Sequence, residues 1–274
     1  MLELLLKFVT HPSPTCVAVV VVVVATITIL CNRKQRKEDE ALFKESPPRE
    51  ECPICMLPLP HNGNTYKACC GKTVCNGCMW GNVVHNLEDG PGQVLCPFCR
   101  TMQTNDFARE VRMLNERMAA NDAGAFAQLG ECYRHGQMGL QENHVRALEL
   151  CTRAADLGSI EAHKSLGDYY YRGRGTPRDV MKAKHHWEIA AMKGNAAARH
   201  HLGVFEIDVR RDMNRAFKHF MIAAKDGYSD SMQNTRRGYS LGHVTKEELE
   251  ETLRAHQKSL DEMKSEQRDR AAIS

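Results

Sequence analysis

The chain has 274 residues, enough for two modest domains with connecting segments. Its 37 basic and 34 acidic side chains leave a net charge of +3. That balance lacks the basic footprint of a nucleic-acid-binding protein, so nucleic acid is not an expected partner. Cysteine is the anomaly. Of twelve, eight lie between Cys52 and Cys99, a cluster that reads either as disulfides in an oxidising compartment or as metal ligands in a reducing one.

Taken in chain order, the first feature is TCVAVVVVVVATITIL, residues 15–30, which carries no charge and precedes the basic run Arg33 to Lys37. As a helix this run spans roughly 24 Å, against a bilayer core of about 30 Å. Cys31 and flanking long side chains extend it, and a thin internal membrane suits it better. Segment 1–31 is therefore expected to hold a single-pass transmembrane anchor over residues 15–31. A cleaved signal peptide and an apolar core helix are the rivals. The basic residues follow the apolar run, and no small-residue cleavage site ends it, which favours the anchor. Positive charge directly after the span places the rest of the chain in the cytosol. Residues 32–50, charged and ending Ser46-Pro47-Pro48-Arg49, read as a linker.

A reducing side makes zinc the expected occupant of the cysteine cluster. Three Cys-x-x-Cys pairs stand within it: Cys52/Cys55, Cys75/Cys78 and Cys96/Cys99. A two-residue spacer lets both thiolates of a tight turn reach one tetrahedral zinc. Two zincs need eight ligands, and Cys69 and Cys70 supply the missing pair. Residues 51–101 then resemble the RING-finger family. The resemblance implies two zinc ions held in a cross-brace, one by Cys52, Cys55, Cys75 and Cys78, the other by Cys69, Cys70, Cys96 and Cys99. Lys72 stands where many RING fingers place a histidine ligand. An all-cysteine variant resolves the count, with His61 or His85 as the alternative fourth ligand. The family's docking positions for a ubiquitin-conjugating enzyme are matched by Ile54, Trp80, Pro97 and Arg100, the last also facing ubiquitin. The resemblance thus implies a ubiquitin ligase that acts by positioning a loaded conjugating enzyme, without a catalytic nucleophile of its own. The competing reading is a catalytically silent scaffold with a structural zinc module, and a third is a secreted disulfide protein.

Residues 105–121 are expected to form a capping helix, followed by helical repeats over 122–244 with a period near 36 residues. Leu129-Gly130, Leu166-Gly167 and Leu202-Gly203 recur at offsets of 37 and 36. Alanine pairs follow at Ala154-Ala155, Ala190-Ala191 and Ala223-Ala224, and glycines close each unit at Gly158, Gly194 and Gly227. These are helix-turn-helix units, with alanines at close crossings and glycines at helix ends. The pattern L-G-x-x-Y-x-x-G at Leu129 to Gly136 and Leu166 to Gly173 resembles the Sel-one-like repeats, relatives of tetratricopeptide repeats. The third unit has Val209 in place of the second glycine and a shorter inter-helix turn. A degenerate fourth unit and a C-terminal helix and tail over 245–274 complete the chain. Such repeats imply binding of a protein substrate or adaptor. Cys132 and Cys151 are read as core. His185, His186, His200, His201 and His219 fit exposed or interfacial helix positions rather than a second metal site. The expected fold is mostly α: an N-terminal transmembrane helix, a small zinc-stapled cross-brace and an α-solenoid. Pairing a RING with Sel-one-like repeats resembles endoplasmic-reticulum quality-control ligases, which makes that membrane the expected location.

Overall fold

The computed structural model describes residues 14–88, 93–103 and 106–273, and divides into two compact units between Lys44 and Glu45. The first thirteen residues of the expected N-terminal segment and residue 105 of the expected capping helix lie outside the described residues.

The first unit is helix α1, Pro14–Leu42, which runs unbroken from the apolar stretch through the basic run. Inside it the hydroxyls of Thr26 and Thr28 donate to the carbonyls of Val22 and Val24, at 2.7 and 2.8 Å, so neither threonine adds an unsatisfied polar group. Arg36 pairs with Glu40 one turn later. Two expectations change here. Among the described residues no helix is long and apolar enough to cross a membrane, so the expected anchor over 15–31 is not supported. The first charged residue of this helix is Arg33, directly after the apolar run. Residues 32–42 are also helix rather than linker.

The second unit begins with the cysteine module. Its elements are β1 (Asn64–Lys67), β2 (Lys72–Cys75) and α2 (Asn76–Glu88), with β1 and β2 paired antiparallel from Asn64↔Cys75 to Lys67↔Lys72. Helix α3, Phe107–Ala119, fills the expected capping position, with Asp106 accepting from the Arg109 amide as its N-cap.

Four antiparallel helix pairs follow. They are α4 (Ala123–His135) with α5 (His144–Asp156), α6 (Ile160–Arg172) with α7 (Val180–Met192), α8 (Ala196–Phe205) with α9 (Met213–Lys225), and α10 (Ser229–Ser240) with α11 (Lys246–Met263). A final short helix, α12, spans Glu266–Ile273. Side-chain caps start most of these helices: Asp122, Asn143, Ser159, Asp179, Asn195, Asp212 and Thr245 each accept from amides of the first turn.

The repeated Leu-Gly pair has a packing reason. A Cβ on Gly130 would lie 3.1 Å from Cys151 Sγ, on Gly167 2.3 Å from the Trp187 ring, and on Gly203 2.5 Å from the Phe220 ring. In every unit the glycine is a socket for one side chain of the partner helix. Alanines seal the rest of the crossing, and Ala147, Ala183 and Ala216 are fully buried. Cys132 and Cys151 are buried core residues, as expected.

The third unit departs as its sequence suggests. Where α4 and α6 end on the left-handed glycines Gly136 and Gly173, α8 runs into a π-helical turn, Glu206–Arg210. Arg211 then takes the left-handed conformation at φ 58°, at the cost a side chain incurs there. His219 is fully buried on α9, because that face of the helix turns into the core.

Candidate metal centre

The eight clustered cysteines fall into two groups of four. Cys52, Cys55, Cys75 and Cys78 form one, and Cys69, Cys70, Cys96 and Cys99 the other, with all sulfurs of each group within 4.8 Å of one another. Among the described residues these are the only groupings of metal-ligand type, so the repeat histidines form none.

Local backbone geometry explains how each sulfur is placed. The first and last Cys-x-x-Cys pairs are folded alike. Cys52 N–H donates to Leu57 O at 2.9 Å, and Cys96 N–H to Thr101 O at 2.8 Å. Met56 N–H returns to Cys52 O and Arg100 N–H to Cys96 O, at 2.9 and 3.1 Å. Met56 and Arg100, each directly after the second cysteine, are both left-handed, at φ 56° and 58°. Such strain in a non-glycine residue persists only where the surroundings impose it, and here it closes a loop that aims two sulfurs the same way.

The other four sulfurs come from the hairpin and its exit. Cys69 and Cys70 sit in the turn between β1 and β2, closed by Gly71 N–H donating to Lys67 O at 2.7 Å. Cys75 ends β2 and Cys78 lies in the first turn of α2, where the Cys78 amide faces Cys75 Sγ at 3.5 Å.

The donor set fits zinc. A tetrahedral ion with bonds of about 2.3 Å needs sulfurs about 3.8 Å apart. Cys55 and Cys75 Sγ are 3.9 Å apart, and Cys70 and Cys96 Sγ 3.8 Å. A disulfide would need about 2 Å, and all ten cysteines with described side chains are unpaired.

At Cys52 and Cys99 burial opposes ionisation, but hydrogen bonds outweigh it and bring each thiol down to about 6; at Cys52 they come from the amides of Cys55, Cys75 and Ile54, at Cys99 from Thr101. Cys78 and Cys69 are pushed well up, by burial first and then by the neighbouring thiols of their own group. Ionising all four thiols of a group would need a cation between them.

Lys72 and the two histidines can now be placed. The Lys72 side chain is exposed, while its amide hydrogen-bonds the Cys70 sulfur. His61 Nε2 lies 2.7 Å from Asp226 O, and burial lowers its pKa. His85 is exposed on α2. Neither histidine belongs to a thiol group. Ile54 in the first loop is 42% exposed and Arg100 after the last cysteine is exposed, whereas Trp80 on α2 and Pro97 are half-buried.

Contacts that sequence reasoning missed fasten this module, and the segment before it, to the repeats. Tyr66 OH donates to Asp122 Oδ2 at 2.8 Å, and Arg117 Nε reaches both Tyr66 OH and Asp122 Oδ2, at 3.1 and 2.9 Å. At the other end Ser46 Oγ donates to Asp226 Oδ2 at 2.5 Å, and Arg49 donates to Ser259 Oγ at 3.0 Å and Met263 Sδ at 2.8 Å. Pro47 fills the space above Gly194. Residues 45–50 are thus a strap along the repeats and not a free linker. Pairs separated by 56, 180 and 210 positions leave no periodic signal in a sequence.

Comparison with known proteins bears on the repeats. Residues 125–159, 160–195 and 196–228 match the Sel1 repeat family. Two curated relatives are from Arabidopsis thaliana. The ERAD-associated E3 ubiquitin-protein ligase component HRD3B is 41% identical over 63 residues, covering 23% of this chain and 10% of the relative. Component HRD3A is 33% identical over 94 residues, covering 34% and 13%. The chain therefore matches only about a tenth of the length of these relatives. Among solved structures, a protective antigen of uropathogenic Escherichia coli displaying an SLR fold aligns with a TM-score of 0.50 at 20% identity, over 72% of this chain and 40% of that one. The alternating helices, the glycine sockets and these matches agree: residues 125–228 are three Sel1 repeats.

Proposed function

We propose that this protein is an interaction scaffold in which a Sel1-repeat solenoid carries a zinc-stapled cysteine module. The observation that carries this reading is the closed set of four thiols in each group. A zinc ion there would have no open coordination position, and such sites are structural rather than catalytic. When bound, the metal would supply folding energy to a segment too small for a large apolar core. The strap and the Tyr66–Asp122 contact then hold that module against the repeats, which are the surface offered to a protein partner. The Arabidopsis relatives are named as components of a ligase, which supports an adaptor role within a larger assembly.

One observation favours a second reading, a RING-type ubiquitin ligase. Ile54 and Arg100 are both exposed, although zinc binding demands neither. With Trp80 and Pro97 they match the docking positions of that family. One assay separates the two readings. Purified full-length protein carrying two zincs is tested for autoubiquitination across a panel of conjugating enzymes. The scaffold reading expects no transfer with any of them. Transfer that is lost on Ile54→Ala or Arg100→Ala establishes the ligase instead.

A further inference from the structure

The C-terminal helix α12 does not trail into solvent. Lys264 leaves α11 in an extended conformation, φ −73° and ψ 140°, and Ser265 restarts the chain by accepting from the Arg268 amide at 3.2 Å. This turn lays α12 back across α2. The contact is as close as two backbones permit, since a Cβ on Gly77 would lie 2.6 to 2.8 Å from Cγ, N and Cα of Arg268. One turn later, Gly81 faces the side chain of Gln267.

Docked there, the Arg268 guanidinium enters the first thiol group. Its Nη2 donates to Cys55 Sγ at 3.3 Å, and its Nη1 donates to Pro58 O at 2.9 Å and Met263 O at 2.8 Å. One planar fork therefore holds a thiol, the loop that presents it and the end of α11. Arginine suits this place because it is always charged and offers several donors in fixed geometry. A divalent ion in four thiolates leaves about two net negative charges, which a cationic hydrogen-bond donor offsets. The second group is built differently. Among the described residues the side chains hydrogen-bonded to its sulfurs are Gln103, 3.9 Å from Cys69 Sγ, and Thr101 beside Cys99, both neutral, while the Arg117 guanidinium lies beside Gly71 without a hydrogen bond to a sulfur.

We propose that Arg268 is a positioning residue for the Cys52/Cys55/Cys75/Cys78 centre, and that docking of α12 on α2 is coupled to metal in that centre. The proposal rests on the zinc reading above and extends it to a segment more than 160 residues away in sequence. Outer-shell partners orient ligand atoms, and losing one typically costs about 10- to 100-fold in metal affinity. By linkage, a metal that favours the docked helix is itself favoured by docking. The two centres are consequently unequal, and the second one releases its metal first.

The test uses the full chain loaded with zinc, and with cadmium for NMR. Stepwise chelation is followed by metal release, and hydrogen exchange is read over residues 266–273. Wild type is expected to release metal in two steps, with exchange in α12 rising only at the later one. Arg268→Gln should weaken the tighter centre by about 10- to 100-fold, shift one cadmium resonance and leave the other in place. Arg268→Lys, which keeps charge but loses the fork, should fall between. Gly77→Ala should free α12 without removing any donor and weaken the same centre. Two metals bound with equal affinity in Arg268→Gln and wild type, or α12 equally protected with and without metal, overturns this inference alone. A wild-type chain that takes up no metal overturns the zinc reading with it.

Discussion

Lys72 stands in the turn that carries Cys69 and Cys70, and only its amide serves the site. Removing its side chain should therefore leave the metal content unchanged, and Lys72→Ala is expected to keep two zincs per chain by elemental analysis. Cys70→Ala removes a ligand from a closed set of four, so one zinc should be lost while the other stays. If Cys70→Ala retains both, the ligand set is wrong. The same residue scale fixes the histidines. His186 is brought down to about 4, by burial first and then by His163, His185 and Lys182 around it. His201 is also brought down to about 4, by burial, with Asp168 opposing and Lys164, His200 and Arg172 assisting. A histidine depressed in the fold is protonated more readily in the unfolded chain, so stability falls as pH drops from about 6.5 toward 4. Thermal melts between pH 7.5 and 5 should show this. The double variant His186→Gln/His201→Gln should flatten the slope relative to wild type, and an unchanged slope would refute the assignment.

At the scale of elements, the repeats depend on one socket per unit. Gly167 admits the edge of Trp187, whose indole Nε1 also donates to Asp168 at 3.2 Å. A methyl group there overpacks the crossing, and Gly167→Ala is expected to cost about 1–3 kcal/mol in denaturant unfolding. A neutral Gly167→Ala would mean the two helices separate freely. The third unit shows what happens when a turn glycine is missing. Its chain uses a π-helical turn and a left-handed arginine to reach the same helix pairing. The pairing is thus dictated by the buried faces, and the connection adapts.

At the scale of the whole molecule, the cysteine module is short on apolar core and the repeats are not. Its buried cluster is essentially Val74 with Cys52, Cys75 and Cys78, whereas each repeat buries alanines, leucines and aromatics. Chelation should therefore abolish order in residues 51–103 while most far-UV helix signal remains, because the helix content lies beyond them. Simultaneous loss of both would show that the repeats need the module to fold. The Tyr66 contact connects the two parts, and Tyr66→Phe is expected to cost about 1 kcal/mol by removing one shared hydrogen bond. Its effect should be read in the stability of the joined unit rather than in metal content.

Much of this was legible in the residues. Spacing alone paired Cys-x-x-Cys turns, because two residues set the reach between sulfurs in a tight loop. The recurrence of Leu-Gly and Ala-Ala located the repeats, because a helix crossing repeated in space must repeat in sequence. The apolar run at 15–30 reads as a membrane span, whereas among the described residues no helix is long and apolar enough to cross a membrane. Contacts between distant segments left no trace of that kind. That His61 turns to Asp226, that Ser46 to Arg49 lie along the repeats and that Arg268 reaches Cys55 depend on where the solenoid ends and how α12 folds back. Local periodicity determines which residues share a face. Only the tertiary path decides which faces meet, since a pair more than 160 residues apart is brought together by every crossing between them.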